Sequence, residues 1–359
     1  MMNNITEKVK EYYGKELKSI ADLKTSSCVD CGDNAPLEVK NIMPLIADEI
    51  KDRYYGCGSP IPPLLDGMTV LDLGCGTGRD VYIASMLVGQ GGHVIGIDMT
   101  TEQIETAIKY QDEQRERFGF DKTNTKFIQG YIEDLKSLGI DDNSVDVVIS
   151  NCVINLSSDK EKVFKEIYRI LKPGGELYFS DIFVDRRIPE AIANDPVIYG
   201  ECLGGALYIE DFRRIMNKAG FTDFRYTATR ILGSDNEELI EKLGFATFSS
   251  RTIRAFKLDD LEDTCEDYGQ VAYYNGSITG YPHYYDLDDH HRFITGKPML
   301  VCGNTASMIS NTRYNSEFKV IGDRSVHFGL FDCTSDISNV NAPVSSVSED
   351  DSCSSGSCC

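Results

Sequence analysis

The chain has 359 residues, 12 of them cysteine, and a formal net charge of −21. The length is enough for two or three domains. The acidic balance opposes binding to nucleic-acid backbones or anionic membrane surfaces, which need clustered Lys and Arg, so neither is expected as a partner. No uncharged apolar run reaches the about 18 residues of a transmembrane helix, and "MMNNITEKVKEYYGKE" lacks the apolar core of a secretory signal. A cytoplasmic location is therefore expected, where thiols stay reduced. The cysteines are too sparse for a disulfide scaffold, which leaves metal, metalloid or redox chemistry, or simple burial as small apolar side chains.

Residues 1–67 read as helical and irregular. From residue 69 a strand–helix alternation begins: "TVLDL", then "HVIGI", then a helix over "TTEQIETAIKYQDEQRERFGF". Thr100 and Gln103 have capping-box spacing, and Ile104, Ala107 and Ile108 share a face. "TKFIQG" and "VDVVIS" are further strands. The helix "SSDKEKVFKEIYRIL" is predicted to be capped by Ser158 and Glu161, to bury Val163, Phe164, Ile167, Tyr168 and Leu171, and to stop at "KPGG" before the strand "ELYFSD". Short apolar strands alternating with amphipathic helices imply a parallel sheet covered on both faces.

A second region is predicted over 184–257, with a helix at "IEDFRRIMNKAG" ended by Gly220, and strands at "DFRYTATRI" and "SRTIRAFKL". The acidic run "DDLEDTCED" reads as a solvated linker into a Tyr-rich domain, 258–334. The tail, 335–359, is Ser-rich, ends "CSSGSCC" and has a disordered composition.

"VLDLGCGTGRD" is a strand, a glycine turn and a helix start. Gly74, Gly76 and Gly78 allow a sharp turn and close approach to a ligand. Dinucleotide enzymes have similar loops, but Asp72 sits beside the glycines, where a carboxylate disfavours a pyrophosphate and suits a cation. Asp98 ends the next strand, where an acid can hold ribose hydroxyls.

These residues, with "VDVVISN" and "LKPGGELYFSD", resemble class I S-adenosylmethionine methyltransferases. The resemblance implies an α/β Rossmann-like sheet with helices on both faces, within residues 1–183. It implies that Asp98 binds the cofactor ribose and Met99 packs on adenine. Ile132 and Glu133 would lie near the adenine edge and Asn151 beside the methionine part, with Tyr55, Asp72, Gly74 and Gly76 completing the cofactor set.

Three cysteines flank this cofactor half: Cys57 in "YYGCGSPIP", Cys152 in "SNCVINL" and Cys202 in "GECLGGALY". Singly, each reads more readily as an inert buried side chain. Jointly they suggest a soft-ligand site, because three thiolates select soft acceptors. Zinc would want a fourth ligand or a water, whereas a trivalent pnictogen such as arsenic needs three bonds and keeps a nucleophilic lone pair. With "KTSSC", "RYYGCG", "GIDMT" and "FIQGYIEDL", these segments resemble arsenite S-adenosylmethionine methyltransferases over about residues 10 to 258.

That resemblance implies methyl transfer to thiolate-bound arsenite and methylarsenite, for arsenic detoxification. Cys57, Cys152 and Cys202 would be the arsenic ligands within an α+β arsenic-binding region over 184–257. Cys28 would pair with Cys57 as a disulfide, which an external thiol system, thioredoxin or glutathione, would reset. A monomer is expected. Cys31 departs from the family pattern, and Cys75 reads as incidental. Cys265, Cys302 and Cys333 receive no role, and "HYYDLDDHH" reads as a solvated or structural loop. The competing readings are a thiol-dependent small-molecule methyltransferase and a non-catalytic metalloid-binding protein.

Overall fold

The computed structural model describes residues 35–193, 198, 203–232 and 244–333. Two short helices, α1 (Leu37–Ile42) and α2 (Asp48–Asp52), lead into the alternating part. There follow β1 (Thr69–Leu73), α3 (Arg79–Val88), β2 (His93–Asp98), α4 (Thr101–Lys109), α5 (Gln111–Arg117), β3 (Thr125–Gln129), β4 (Val145–Asn151), α6 (Lys160–Ile170) and β5 (Leu171–Val184). Next come β6 (Leu207–Tyr208), α7 (Ile209–Ala219), β7 (Phe224–Ile231) and β8 (Phe248–Phe256).

All eight strands form one sheet, in the order β3-β2-β1-β4-β5-β8-β7 with β6 beside β5. The first five are parallel, whereas β8 runs antiparallel to both β5 and β7. The strands of residues 184–257, which the sequence sets apart as a second region, thus continue the same sheet. Side-chain alternation splits the core into two layers. Leu71, Leu73, Val148, Leu177 and Phe179 pack under α6 and α7 through Phe164, Ile167, Phe212 and Met216. Val70, Val94, Val147 and Ile149 pack on the other face under α1, α2 and α3. The expected Rossmann-like sheet with helices on both faces is therefore present.

Local details differ from the sequence reading for identifiable reasons. The helix expected over 100–120 breaks at Tyr110. Restarting there lets the buried Gln114 side chain accept from the Ala47 N–H (2.9 Å) and donate to the Leu45 carbonyl (3.2 Å), tying α5 to the leading segment. Thr100 precedes α4 without a side-chain cap: Asp98 accepts its N–H, the group that Gln103 would take in a capping box, and the Thr100 side chain also bonds to Asp98. Asp159, not Ser158, caps α6 by accepting from Lys162 N–H at 3.0 Å. Ile108 is half exposed, and Ile170 joins the buried stripe of α6. Gly220 ends α7 in the left-handed region, as expected of a C-terminal glycine.

The last part contains β9 (Glu266–Asp267), β10 (Gln270–Tyr274), β11 (Tyr284–Asp286), β12 (Arg292–Ile294), β13 (Met299–Val301), α8 (Gly303–Ser310), β14 (Phe318–Ile321) and β15 (Gly329–Leu330). They form a three-stranded antiparallel sheet, β13-β10-β14, and two pairs, β11-β12 and β15-β9, around a separate core that includes Tyr274, Phe293, Met308 and Tyr314. His291 in "HYYDLDDHH" is buried, with Nδ1 2.7 Å from Asp288, a structural use of that loop.

Arg254 on β8 joins the two parts. Its Nε donates to Glu176 of β5 at 2.8 Å, and its other nitrogens reach the Tyr314 hydroxyl (2.6 Å) and the Leu287 carbonyl. Arg313 pairs with the second oxygen of Glu176, and Glu176 is fully buried. Removing one member of such a group leaves a buried charge uncompensated. Glu176→Ala is expected to destabilise the chain by about 3–5 kcal/mol in urea titration, whereas Lys109→Ala, which breaks the solvent-screened pair with Glu49, leaves the midpoint nearly unchanged.

Candidate active site

The sheet order reverses between β1 and β4, and in open α/β sheets ligands bind at the carboxyl ends of the strands flanking such a point. A cleft of about 1010 Å³, including its open mouth, lies there. Tyr55, Asp72, Gly74, Gly76, Asp98, Met99, Ile132, Glu133, Asn151 and Cys152 all line it. The glycine turn explains its shape. Gly74 and Gly76 have φ of +71° and +52°, in the left-handed region that favours glycine. A side chain on Gly74 would strike Val153, whereas one on Gly76 would meet nothing within 4 Å. Gly76 therefore leaves its backbone open to a ligand.

Asp98 accepts from Gly76 N–H (3.0 Å) and Thr100 N–H (2.8 Å), one on each oxygen, and also from the Thr100 side chain, so a carboxylate keeps acceptor capacity for one further donor. Burial raises its pKa against these bonds. Asp72 is held well above the usual carboxylate range, first by burial and then by the neighbouring Asp80 and Asp98, with Arg79 opposing. Arg79 is itself committed, paired with Asp80 at 2.7 Å and lying 3.0 Å over the Tyr54 ring. The cleft thus gathers carboxylates whose charge calls for a cation. Tyr54, Arg79 and Asp80 were missed in the sequence; the "RD" directly after the glycine turn was the available signal. Glu133 accepts from the Ser157 hydroxyl (2.5 Å), which orients it at the cleft wall.

The loop bearing Cys57 folds over the strand ends. Asn151 accepts the Cys57 N–H (3.0 Å) and donates to the Gly58 carbonyl (2.8 Å) and the Tyr54 hydroxyl. From β8, Ser250 donates to the Cys57 carbonyl at 2.8 Å. Gly56 and Gly58 flank the cysteine because a side chain at the first would run into Tyr54 and then Asn151 (2.7 Å), and one at the second into Ser180 (2.6 Å). The outcome is that Cys57 and Cys152 are joined by a disulfide, with Cα atoms 5.9 Å apart, within the usual range. Cys152 adopts φ +55°, a strained value for a residue with a side chain. Both cysteines are buried in one cluster with Leu203, Ala206 and Phe248. Gly205 brings its loop against the Asn155 carbonyl, which Asp181 holds through Asn155 N–H (3.1 Å) and Nδ2 (2.7 Å). Cys28 and Cys202 lie outside the described residues, and so does the expected Cys28–Cys57 pairing; the Cys57–Cys152 pairing was not anticipated. Cys75 is buried under the glycine turn, and burial pushes its thiol well up, which makes it inert.

Residues 64–220 match a methyltransferase domain, and residues 267–359 match the arsenite methyltransferase C-terminal domain. The chain is 52% identical to the arsenite methyltransferase of Aquipseudomonas alcaligenes, over 91% of this chain and 93% of that one. It belongs to the arsenite methyltransferase family. The human arsenite methyltransferase is 42% identical, over 89% of this chain and 85% of its own length. The crystal structure of an arsenic(III) S-adenosylmethionine methyltransferase from Chlamydomonas reinhardtii superposes with a TM-score of 0.80 at 51% identity, covering 83% of this chain and 99% of that one.

The cleft fits S-adenosylmethionine by its donor set: an open Gly76 backbone, remaining acceptor capacity on Asp98, and clustered carboxyl groups for a sulfonium. The raised pKa of Asp72 gives a sign to binding. A raised pKa shifts the empty site toward the protonated acid and a nearby cation shifts it back toward the carboxylate, so binding is expected to release protons and to tighten as pH rises. Calorimetry in buffers of different ionisation enthalpy is expected to show proton release with S-adenosylmethionine, and less with the uncharged thioether S-adenosylhomocysteine. Equal release would remove Asp72 from this role.

Proposed function

We propose that Cys57, Cys152 and Cys202 hold trivalent arsenic at the wall of the cleft and that the chain methylates it there. The observation that carries this reading is the meeting of Cys57 and Cys152, from segments 95 residues apart, beside the cleft. Reduced thiolates are soft donors suited to a thiophilic acceptor, and arsenic bonded to three sulfurs keeps the lone pair that a methyl transfer needs. Methylarsenite, with one bond already taken by carbon, uses two of the three sulfurs.

S-adenosylmethionine supplies an electrophilic methyl group when bound. The protein's part is positioning and exclusion of water. Asp98 keeps acceptor capacity for a ribose hydroxyl. Met99, Ile132 and Glu133, which line the cleft, would take the adenine, while Tyr55, Asp72 and Asn151, also in its lining, would take the methionine part. No general base is required, because the nucleophile is a lone pair.

The disulfide and the arsenic site draw on the same two sulfurs, so they exclude one another. A thiol reductant, one thioredoxin-type dithiol or two equivalents of glutathione, opens the pair by thiol–disulfide exchange, and turnover then depends on that reductant. Cys28 remains a candidate partner in the same exchange.

With arsenite, S-adenosylmethionine and a dithiol, the wild type is expected to yield methylated arsenicals on chromatographic speciation. Cys57→Ser and Cys152→Ser each lower that rate by at least about a hundredfold while leaving the Kd for S-adenosylmethionine unchanged. Full activity in Cys152→Ser would instead favour a small-molecule methyltransferase that does not use thiolate-bound arsenic.

A further inference from the structure

Cys265, Cys302 and Cys333 take no part in the site above, yet their three Sγ atoms all lie within 4.8 Å of one another. The fold builds this convergence from three separate segments. Pairing of β9 with β15 sets Asp267 opposite Gly329 and Glu266 opposite Leu330, and Phe331 N–H donates to the Cys265 carbonyl at 2.8 Å. The stretches before β9 and after β15 therefore run side by side, one carrying Cys265 and the other Cys333. Cys302 follows β13 and stands at the N-terminus of α8, where its sulfur accepts from Thr305 N–H at 3.4 Å.

The surroundings of these sulfurs are those of ligands rather than of packing groups. Arg225, reaching over from β7, directs Nη2 at Cys302 Sγ (3.9 Å) and at Cys265 Sγ (4.0 Å). That guanidinium is held by Asp223 at 2.6 Å and Asp288 at 3.5 Å. Donors aimed at sulfur occupy its spare lone pairs and orient it, as outer groups do around a metal site. Cys302 is buried, while Cys265 and Cys333 are only partly so, which leaves the cluster approachable from solvent.

We propose that Cys265, Cys302 and Cys333 form a second trithiol site that takes trivalent arsenic, apart from Cys57 and Cys152. Among the described residues, no His, Asp or Glu joins the three sulfurs within that distance. Structural zinc wants four protein ligands; the His291 imidazole, which meets the same Thr305 hydroxyl as Cys302 Sγ, has Nε2 3.3 Å from that hydroxyl and Nδ1 against Asp288. Hard cations want oxygen. Trivalent arsenic is satisfied by three sulfurs, its lone pair standing where a fourth ligand would be. Loading is an exchange: three As–S bonds replace the three As–O bonds of arsenous acid, the thiol protons leave with the hydroxyls as three waters, and arsenic stays trivalent. The choice of arsenic as occupant rests on family membership, but the site is independent of the roles proposed for Cys57 and Cys152.

The test uses the full chain with Cys28, Cys31, Cys57, Cys152, Cys202, Cys353, Cys358 and Cys359 replaced by Ser, reduced, mixed with arsenite and desalted. A single retained arsenic with three sulfur neighbours in X-ray absorption, lost in the further variant Cys302→Ala, is the expected result. No retained arsenic in a chain of native circular dichroism, or a bound zinc that arsenite does not displace, would overturn the proposal. Cys302→Ala in the otherwise native chain gives a second route should the multiple variant fail to fold. Its arsenic stoichiometry is expected to fall by one with the methylation rate unchanged, and an unaltered stoichiometry would refute the site.

Discussion

The Asn151 side chain ties the loop before the sheet to the carboxyl ends of its central strands, and the rest of the site depends on that tie. One amide accepts from the Cys57 backbone and donates to the Gly58 carbonyl and the Tyr54 hydroxyl. Each contact satisfies a polar group that would otherwise be costly in a largely buried place. Together they set the Cys57 sulfur against that of Cys152. The left-handed backbone at Cys152 is the strain that comes with it, held because Cys152 N–H is fixed to the Ser180 carbonyl at 2.9 Å.

Charge gives the cleft its preference. Asp72, Asp80 and Asp98 crowd the ends of β1, α3 and β2, while Arg79 is spent on Asp80 and on the Tyr54 ring. In a site out of water, unneutralised carboxylate is an unfavourable state that a cationic ligand relieves. The glycine turn supplies close approach, and the buried acids supply the reason for a sulfonium rather than a phosphate to sit there. The two demands meet at one point because the sheet order reverses between β1 and β4.

The parts of this arrangement that depend on short-range pattern could be read from the sequence. "VLDLGCGTGRD" and "VIGID" place Asp72, Gly74, Gly76 and Asp98 without any knowledge of tertiary contacts, since strand ends and glycine turns are local. The fold-over of "YYGCGS" is not local. It depends on Gly56 and Gly58 lying against Asn151 and Ser180, far along the chain; the resemblance implied that Cys57 and Cys152 meet, but nothing local showed that they bond directly to each other. The strands of 184–257 look like a new region because α7 intervenes and the direction reverses, and only the register of β8 on β5 shows that the sheet continues. Helix caps were misplaced by competition: Asp98 claims Thr100 N–H, and Asp159 displaces Ser158. Cys265, Cys302 and Cys333 each sit alone in the sequence, Cys265 within the acidic run read as a linker; the pairing of two-residue strands brings Cys265 beside Cys333, and the start of α8 adds Cys302.

The bond from Ser250 to the Cys57 carbonyl spans 193 residues. Such long-range closure is slow relative to local structure, and it sets an order on biosynthesis. The emerging chain exposes Cys57 well before the ribosome has made β8, the strand that pins it. During that interval β8 cannot yet hold the Cys57 loop, so this part of the site closes only after the last strand of the sheet has been made.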